Sequence, residues 1–547
     1  FKQAMSGPDR GRWMRALEDE IANLEHIFEP VAEDSLPTWV KERGRATEVV
    51  DMMWVLKKKY NEMRELLSFK ARGTIRGDML VKMETTLNLP KSETFAPTGR
   101  HNTLKLNIAG SCARAGKSIN DSRARPVRRR TFDIKAAFLN GKQPEGRVRY
   151  IRPPQGFRQF DRRGVPIVWK QVGNCYGDVS APRIWHQTIH PVLVDTCNMC
   201  QSDADPCFYY KVYPDGSRLE IFLYVDDAWC TDNAGSLADA DLKLISDKFE
   251  VTWTNDPRHF LNINIKVLSE TKVQLSSESY ILSMADRAMP DWRTRPKVNL
   301  PCSTNFMKHY DEAMQLRGDP THVRTKEQCT SYGGKVGALV YTSPCVRADA
   351  AATISRLARC LSASTDDMER EADQCILYLA QTASLSVTFD GTVADADVMQ
   401  SYCDSDWCIG HSCTGWCCFL AGAAFAYASK RQQSIALSTT EAEIIAASMC
   451  AVEMVHFRTL LREMGLEQGV SVLHCDNSGA VELSRDRKSC HRSRHVDRRY
   501  FKVRELAFEG VLRVVHVATK LNVADLLTKP LDLAAFVTHR ATILQSE

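Results

Sequence analysis

The period of apolar and polar positions changes repeatedly along the 547 residues, and each change predicts an element. In WMRALEDEIANLEHIF, residues 13–28, apolar positions recur every three or four residues and predict an amphipathic helix, while WVLKKKY, 54–60, is strand-like. Residues 130–265 mix strands and helices, and 266–395 read as mainly helical, including YGGKVGALVYTS and MEREADQCILYLAQTA. Near Val398 the pattern shifts to SYCDSDWC, GWCCFLAG and AAFAYAS, three β-like segments in succession. A long helix follows, opened by a capping box of Ser438 and Glu441 in STTEAE and closed near Gly465. Beyond it come a strand (VSVLHCD), a short helix, a basic helix, a strand (VLRVVHV) and a last helix opening around NVADLLTK. The resulting order β, β, β, α, β, α, α, β, α is specific enough to propose a fold.

One run breaks its own pattern. In LEIFLYVDDAWC, residues 219–230, Ile221, Leu223 and Val225 alternate up to Asp226 and Asp227. Asp is depleted in strands because burying an uncompensated charge is costly, so the pair belongs at a hairpin tip. It is either an ordinary Asp-rich turn or a site for a hard cation such as Mg²⁺, and a third carboxylate would separate the two. RTFDIKAAFLNG supplies one: Asp133 ends a short strand 93 positions before Asp226.

Composition is ordinary for a globular chain, at 44% hydrophobic and 25% charged residues, and the length predicts three or four domains. With a net charge of only +5, affinity for an acidic partner must come from local clusters. RARPVRRR at 123–130 and RDRKSCHRSRHVDRRYFKVR at 485–504 are two such clusters, although charge runs are more often solvated faces. The 19 cysteines lack regular spacing and read as reduced and intracellular, and the CxxC from Cys197 to Cys200 has no partner pair for zinc. No signal peptide is visible, and the apolar part of the longest uncharged stretch, 409–429, is too short to span a bilayer, so no membrane is expected. A start at Phe1 suggests a fragment or a processed product.

AMSGP, ETFAP, FDIKAAFLNG, YIRPPQGF, YGDVSAPRIW, LYVDD, STTEAEIIAAS and NVADLLTKPL resemble, in this order and spacing, the reverse transcriptase and RNase H region of copia-type retrotransposon Pol polyproteins. The resemblance implies an α/β and α+β multidomain chain: a right-hand polymerase followed by an RNase H-like α/β domain. Fingers would occupy 1–125, palm 126–265, thumb and connection 266–395, the RNase H-like domain 396–535 and a tail 536–547. It implies that Asp133, Asp226 and Asp227 hold two Mg²⁺, or Mn²⁺, for nucleotidyl transfer, and that Lys70, Arg72, Tyr176 and Gly177 meet the incoming triphosphate. It likewise implies a second two-metal site of Asp404, Glu443, Asp476 and Asp525, with His495 and Arg498 in the basic stretch that holds the hybrid. Asp406 and Glu441 read as bystanders, Glu441 being occupied by the capping box. The partners implied are an RNA template, a DNA primer, an RNA–DNA hybrid and dNTPs, with a homodimer or an integrase as further partners, in a cytoplasmic particle and the nucleus.

The chain departs from the family at several points. YGLKQ has become Tyr176, Gly177, Asp178, Val179 and Ser180, which predicts a carboxylate that repels the triphosphate. Gly73 and Thr74 replace apolar strand residues, Asn262 replaces a Gly in HFLNINI, and Phe501 and Lys502 stand where the family has His and an aromatic. Alternatives to an active enzyme are therefore a non-catalytic nucleic-acid-binding relic, or an active RNase H joined to an impaired polymerase.

Overall fold

A computed structural model describes residues 1–36, 49–60, 66–80, 94–119, 125–143, 149–408, 411–485 and 502–545, and among these four sheets form. The first has the order Phe28–Ala32, Ile167–Gln171, Tyr150–Arg152, Val49–Tyr60, Leu66–Ile75. The helix predicted in the first stretch runs from Arg10 to Leu24 and packs on Leu66–Ile75, burying Trp13, Leu17 and Leu24. Gly73 makes room for that packing, since a Cβ there would lie 2.7 Å from Leu24 Cδ1. Because Tyr150–Arg152 and Ile167–Gln171 join this sheet, it crosses the boundary expected at 125.

The second sheet has six strands: Val251–Asn255, Arg128–Ile134, Asp227–Asp232, Arg218–Tyr224, Phe208–Val212 and Cys200–Gln201. Both faces are covered, which explains the near-continuous apolar run at 219–230. Phe222 and Trp229 point into one core, and Ile221, Leu223, Ala228 and Cys230 into another. Period-2 alternation thus sends neighbours to opposite cores, and a one-residue slip would exchange every contact.

Two hairpin strands, His259–Phe260 and Ile263–Val267, open a four-stranded sheet completed by Lys272–Ser276 and Val387–Asp390. Between the last two lie the helices expected for 266–395, among them Glu278–Ala288, Lys326–Thr342 and Asp366–Gln381. The fourth sheet has the order Ala423–Arg431, Cys413–Leu420, Gln400–Asp406, Ser471–Cys475, Leu512–His516, antiparallel over the first three strands and parallel thereafter. Helix Thr439–Glu463 makes the crossover. By length and composition it could cross a membrane, but it packs on Gln400–Asp406 and on helices His101–Lys117 and Lys502–Phe508.

The order of elements in this last unit is the one read from the sequence, with one correction. NVADLLTK does not open the final helix; Val523–Leu527 is a 3-10 turn and the helix is Leu533–Leu544. Pro530 explains the break, because the residue before a proline is pushed out of helical geometry. Asp532 restarts the chain as an N-cap, accepting from Ala534 N and Ala535 N at 3.0 Å.

Helix His101–Lys117 ties this unit to the six-stranded sheet. Asn107 Nδ2 and Arg114 Nη2 donate to Glu220 at 2.6 and 2.7 Å, while Arg114 Nη1 donates to Met464 O at 2.7 Å. Every described cysteine is free.

Candidate active sites

The hairpin places the first acidic centre. Tyr224 pairs with Asp227, so Val225 and Asp226 form a two-residue turn, and Asp227 sits directly opposite Asp133 on the neighbouring antiparallel strand. The 93 positions between Asp133 and Asp226 collapse to one strand register. Val225 has φ +60°, a left-handed conformation that a β-branched residue rarely adopts. Two donors hold the strained turn: Ile134 N donates to Asp226 O at 3.0 Å and Trp185 Nε1 to Val225 O at 2.6 Å.

Negative charge accumulates here without enough compensation. Burial, then Asp226 and Asp133, pushes the Asp227 carboxyl up to about 7, and Asp226 is raised as well, chiefly by burial. Carboxylates that raise one another's pKa by proximity are a donor set suited to a divalent cation, which would remove the repulsion. Lys70 lies close enough that Asp133 and Asp226 pull its pKa up against the larger lowering by burial, Arg72 and Lys59. The Arg72 guanidinium lies 5.3 Å from the centroid of the Tyr176 ring, whose hydroxyl burial pushes up to about 12. Gly177 has φ +84°, and a Cβ there would come within 2.1 Å of Ile75 O, so the loop after Tyr176 can back onto the Lys70 strand only with glycine. The structure thus brings Asp133, Asp226, Asp227, Lys70, Arg72 and Tyr176 into one neighbourhood.

Asp178 corrects the expectation of a repelling carboxylate. It is 3% exposed and paired with the buried Arg149, and it accepts from Ser180 N at 3.0 Å, Ser180 Oγ at 2.7 Å and Gln143 Nε2 at 3.0 Å. Burial alone would raise its pKa, but Arg149 and the Ser180 donors hold it below the usual carboxylate value. The charge is neutralised inside the protein rather than aimed at a substrate. Asn262 is similarly benign: with φ +60° it occupies a left-handed position that asparagine tolerates, and its Nδ2 donates to Tyr341 Oη at 2.8 Å.

The basic run at 123–130 is also corrected over its described residues. Arg128 and Arg130 pair with Asp232 at 2.8 and 2.6 Å and with Asp239 at 3.0 and 2.7 Å, and Arg129 is buried against Ser111 and Glu270 O. The charges of Arg128 and Arg130 are paired within the chain, and Arg129 is turned inward onto neutral acceptors.

The second centre lies on the C-terminal sheet. Carboxylate oxygens of Asp404, Asp476 and Asp525 come within 4.8 Å of one another, and ligand atoms of Glu443, Cys475 and Asp476 do the same. Asp404 sits on the central strand, Glu443 on the long helix, Asp476 just past Ser471–Cys475 and Asp525 in the 3-10 turn. Burial and then Asp525 push Asp404 up to about 7, and burial and then Asp404 push Glu443 up to about 10. Four buried or half-buried acids in one cluster again form a cation-binding set. The bystanders are accounted for: Asp406 pairs with Arg356 at 2.7 Å, and Glu441 Oε2 accepts from Leu437 N at 2.7 Å, one residue beyond the capping-box partner expected. Ser438 Oγ does accept from Glu441 N, at 3.1 Å.

Several residues here escaped the sequence reading. Lys529 Nζ lies 3.1 Å from Asp525 Oδ1, Thr528 Oγ1 donates to Asp404, and Asn522 caps the 3-10 turn while donating to Cys403 O at 3.0 Å. The i, i+4 spacing of Asp525 and Lys529 was a signal available in NVADLLTK. His495 and Arg498 lie outside the described residues.

Comparison with known proteins agrees with the resemblance. Residues 39–291 match the family described as reverse transcriptase (RNA-dependent DNA polymerase). The chain is similar to the retrovirus-related Pol polyprotein from transposon TNT 1-94 of Nicotiana tabacum, 27% identical over 97% of this chain and 37% of that protein. It is also similar to that from transposon RE2 of Arabidopsis thaliana, 27% identical over 96% of this chain and 33% of the relative. The chain therefore spans about a third of the length of the curated relatives it matches. Among solved structures it is similar to a foamy viral protease-reverse transcriptase in complex with dsDNA, at 10% identity and a TM-score of 0.45, over 93% of this chain and 83% of that one.

Proposed function

We propose that the chain is an RNA-directed DNA polymerase with an RNase H domain, acting inside the cell as part of a copia-type retrotransposon Pol polyprotein. The observation that carries this reading is the presence of two separate carboxylate clusters on two different sheets, each only partly offset by neighbouring cations, the first inside the segment that matches reverse transcriptases. Asp133, Asp226 and Asp227 would hold one set of divalent ions and Asp404, Glu443, Asp476 and Asp525 the other. Such ions, Mg²⁺ or Mn²⁺, supply Lewis acidity and charge neutralisation for an attacking oxygen and a leaving group. Lys70 and Arg72 bring positive charge beside the first cluster, suited to a triphosphate, and the Tyr176 ring steadies the Arg72 guanidinium. At the second cluster Lys529 offsets part of the charge on Asp525. An RNA template, a DNA primer, an RNA–DNA hybrid and dNTPs are the substrates this reading requires.

A degenerate relic is the weaker reading, because the feature that favoured it, Asp178, is a buried partner of Arg149. The deciding experiment is primer extension on an RNA template with Mg²⁺. Extension by the wild-type chain, lost in the Asp227→Asn variant, supports the polymerase; no extension by the wild type under Mg²⁺ or Mn²⁺ rejects it.

A further inference from the structure

The turn that presents Asp226 and Asp227 is not held by its own hairpin alone. Val225, at φ +60°, carries strain of about 1–2 kcal/mol and persists only where its surroundings impose it. Its carbonyl is bonded from outside the hairpin by Trp185 Nε1, at 2.6 Å. Trp185 is 2% exposed, belongs to helix Ala181–Pro191 and packs edge-on against Phe249 at 5.4 Å between ring centroids. A cavity of about 500 Å³ opens beside this contact, lined by Trp185, Leu223, Val225 and Phe95 among others, so Val225 packs against the apolar core on one side and faces open space on the other. Asp226 O is held by a main-chain donor, Ile134 N. Among the described residues, Trp185 is thus the side chain that holds the Val225 carbonyl by a hydrogen bond from outside the hairpin, one residue before the two carboxylates.

We propose that Trp185 is a positioning residue of the polymerase centre, acting through the Val225 carbonyl to set Asp226 and Asp227 for cation binding. This rests on the function proposed above and adds a residue that touches neither substrate nor ion. Removing the N–H while keeping a buried aromatic ring should relax the turn without unfolding the sheet. An aim altered by a fraction of an ångström lowers the rate more than it weakens nucleotide binding.

The test uses the full chain and the variant Trp185→Phe. Single-nucleotide extension should show kcat lowered about tenfold with KM for the dNTP within twofold, a size in keeping with one lost hydrogen bond to the main chain. Cleavage of an RNA–DNA hybrid should stay as in the wild type, and the melting temperature should fall by no more than a few degrees, as expected for one lost hydrogen bond and a smaller buried ring. Mn²⁺ binding, read by electron paramagnetic resonance in an Asp404→Asn, Glu443→Gln background so that the first centre is observed, should weaken several-fold, with Asp227→Asn as the reference for a lost ligand. The Mn²⁺ arm separates the two claims: a wild-type chain that binds Mn²⁺ without extending primers rejects the polymerase, and the Trp185→Phe affinity then decides the positioning role by itself. Unchanged kcat or unchanged Mn²⁺ affinity in Trp185→Phe overturns the proposal, as does a parallel fall of cleavage and melting temperature, which marks a purely structural role.

Discussion

Asp178 and Arg149 show how a residue that looks disruptive in sequence becomes neutral in three dimensions. Removing one member of a buried ion pair strands the other charge, which costs about 3–5 kcal/mol. Asp178→Asn should therefore destabilise the chain by that order at pH 7, read as a lower denaturant midpoint, and Asp178→Leu should do at least as much. The pH dependence has a definite sign. Asp178 is held below its ordinary value of 3.8, so its contribution is fully present above that value and is lost as pH falls through the lower folded one. The gap between wild type and Asp178→Asn should be wide at pH 7 and should begin to close only as pH falls below about 4. A constant gap would mean that the carboxylate is not ionised in the folded protein. The Asp178 charge was legible in the sequence but its partner was not, because Arg149 lies 29 positions away and nothing local marks the two as neighbours.

Turns set the outcome at the scale of elements. The hairpin of His259–Phe260 and Ile263–Val267 closes over Leu261 and Asn262, both at positive φ. Glycine and asparagine both enter this region readily, so the sequence departure at Asn262 leaves the bend intact. Asn262→Gly should change stability by well under 1 kcal/mol, whereas Asn262→Val should lose about 1–2 kcal/mol, measured by equilibrium unfolding. Equal effects would show that the bend does not hold the left-handed conformation. The same reasoning explains which elements could be read in advance. The Asp226–Asp227 hairpin, the capped helix from Thr439 and the strand ending before Asp476 each announce themselves by period and by the residues at their ends. The 3-10 turn carrying Asp525 did not, because Pro530 lies just past the segment and its effect reaches back into a pattern that otherwise reads as helix.

For the whole molecule, the proposed function requires two chemically independent centres on sheets joined by helix His101–Lys117 and the Arg114, Glu220 and Met464 contacts. Each acid could be singled out because it ends or begins its own local motif; their convergence is a matter of strand register and crossover, which local pattern does not encode. Charge follows a similar division. Arg128 and Arg130 are tied to Asp232 and Asp239, so the salt dependence of hybrid binding should arise elsewhere, and the run at 485–504 is the remaining dense cluster. Hybrid affinity should fall steeply with salt, and replacing three arginines in that run by Gln should flatten the slope of log K against log salt by about two to three. An unchanged slope would remove that run from the interface. The most direct test of the central claim measures primer extension and hybrid cleavage on the same preparations of two variants, Asp227→Asn and Glu443→Gln. The account predicts reciprocal loss: Asp227→Asn abolishes extension by at least about a hundredfold and leaves cleavage intact, and Glu443→Gln does the converse. Both activities persisting in either variant, or both lost together in folded protein, would contradict it.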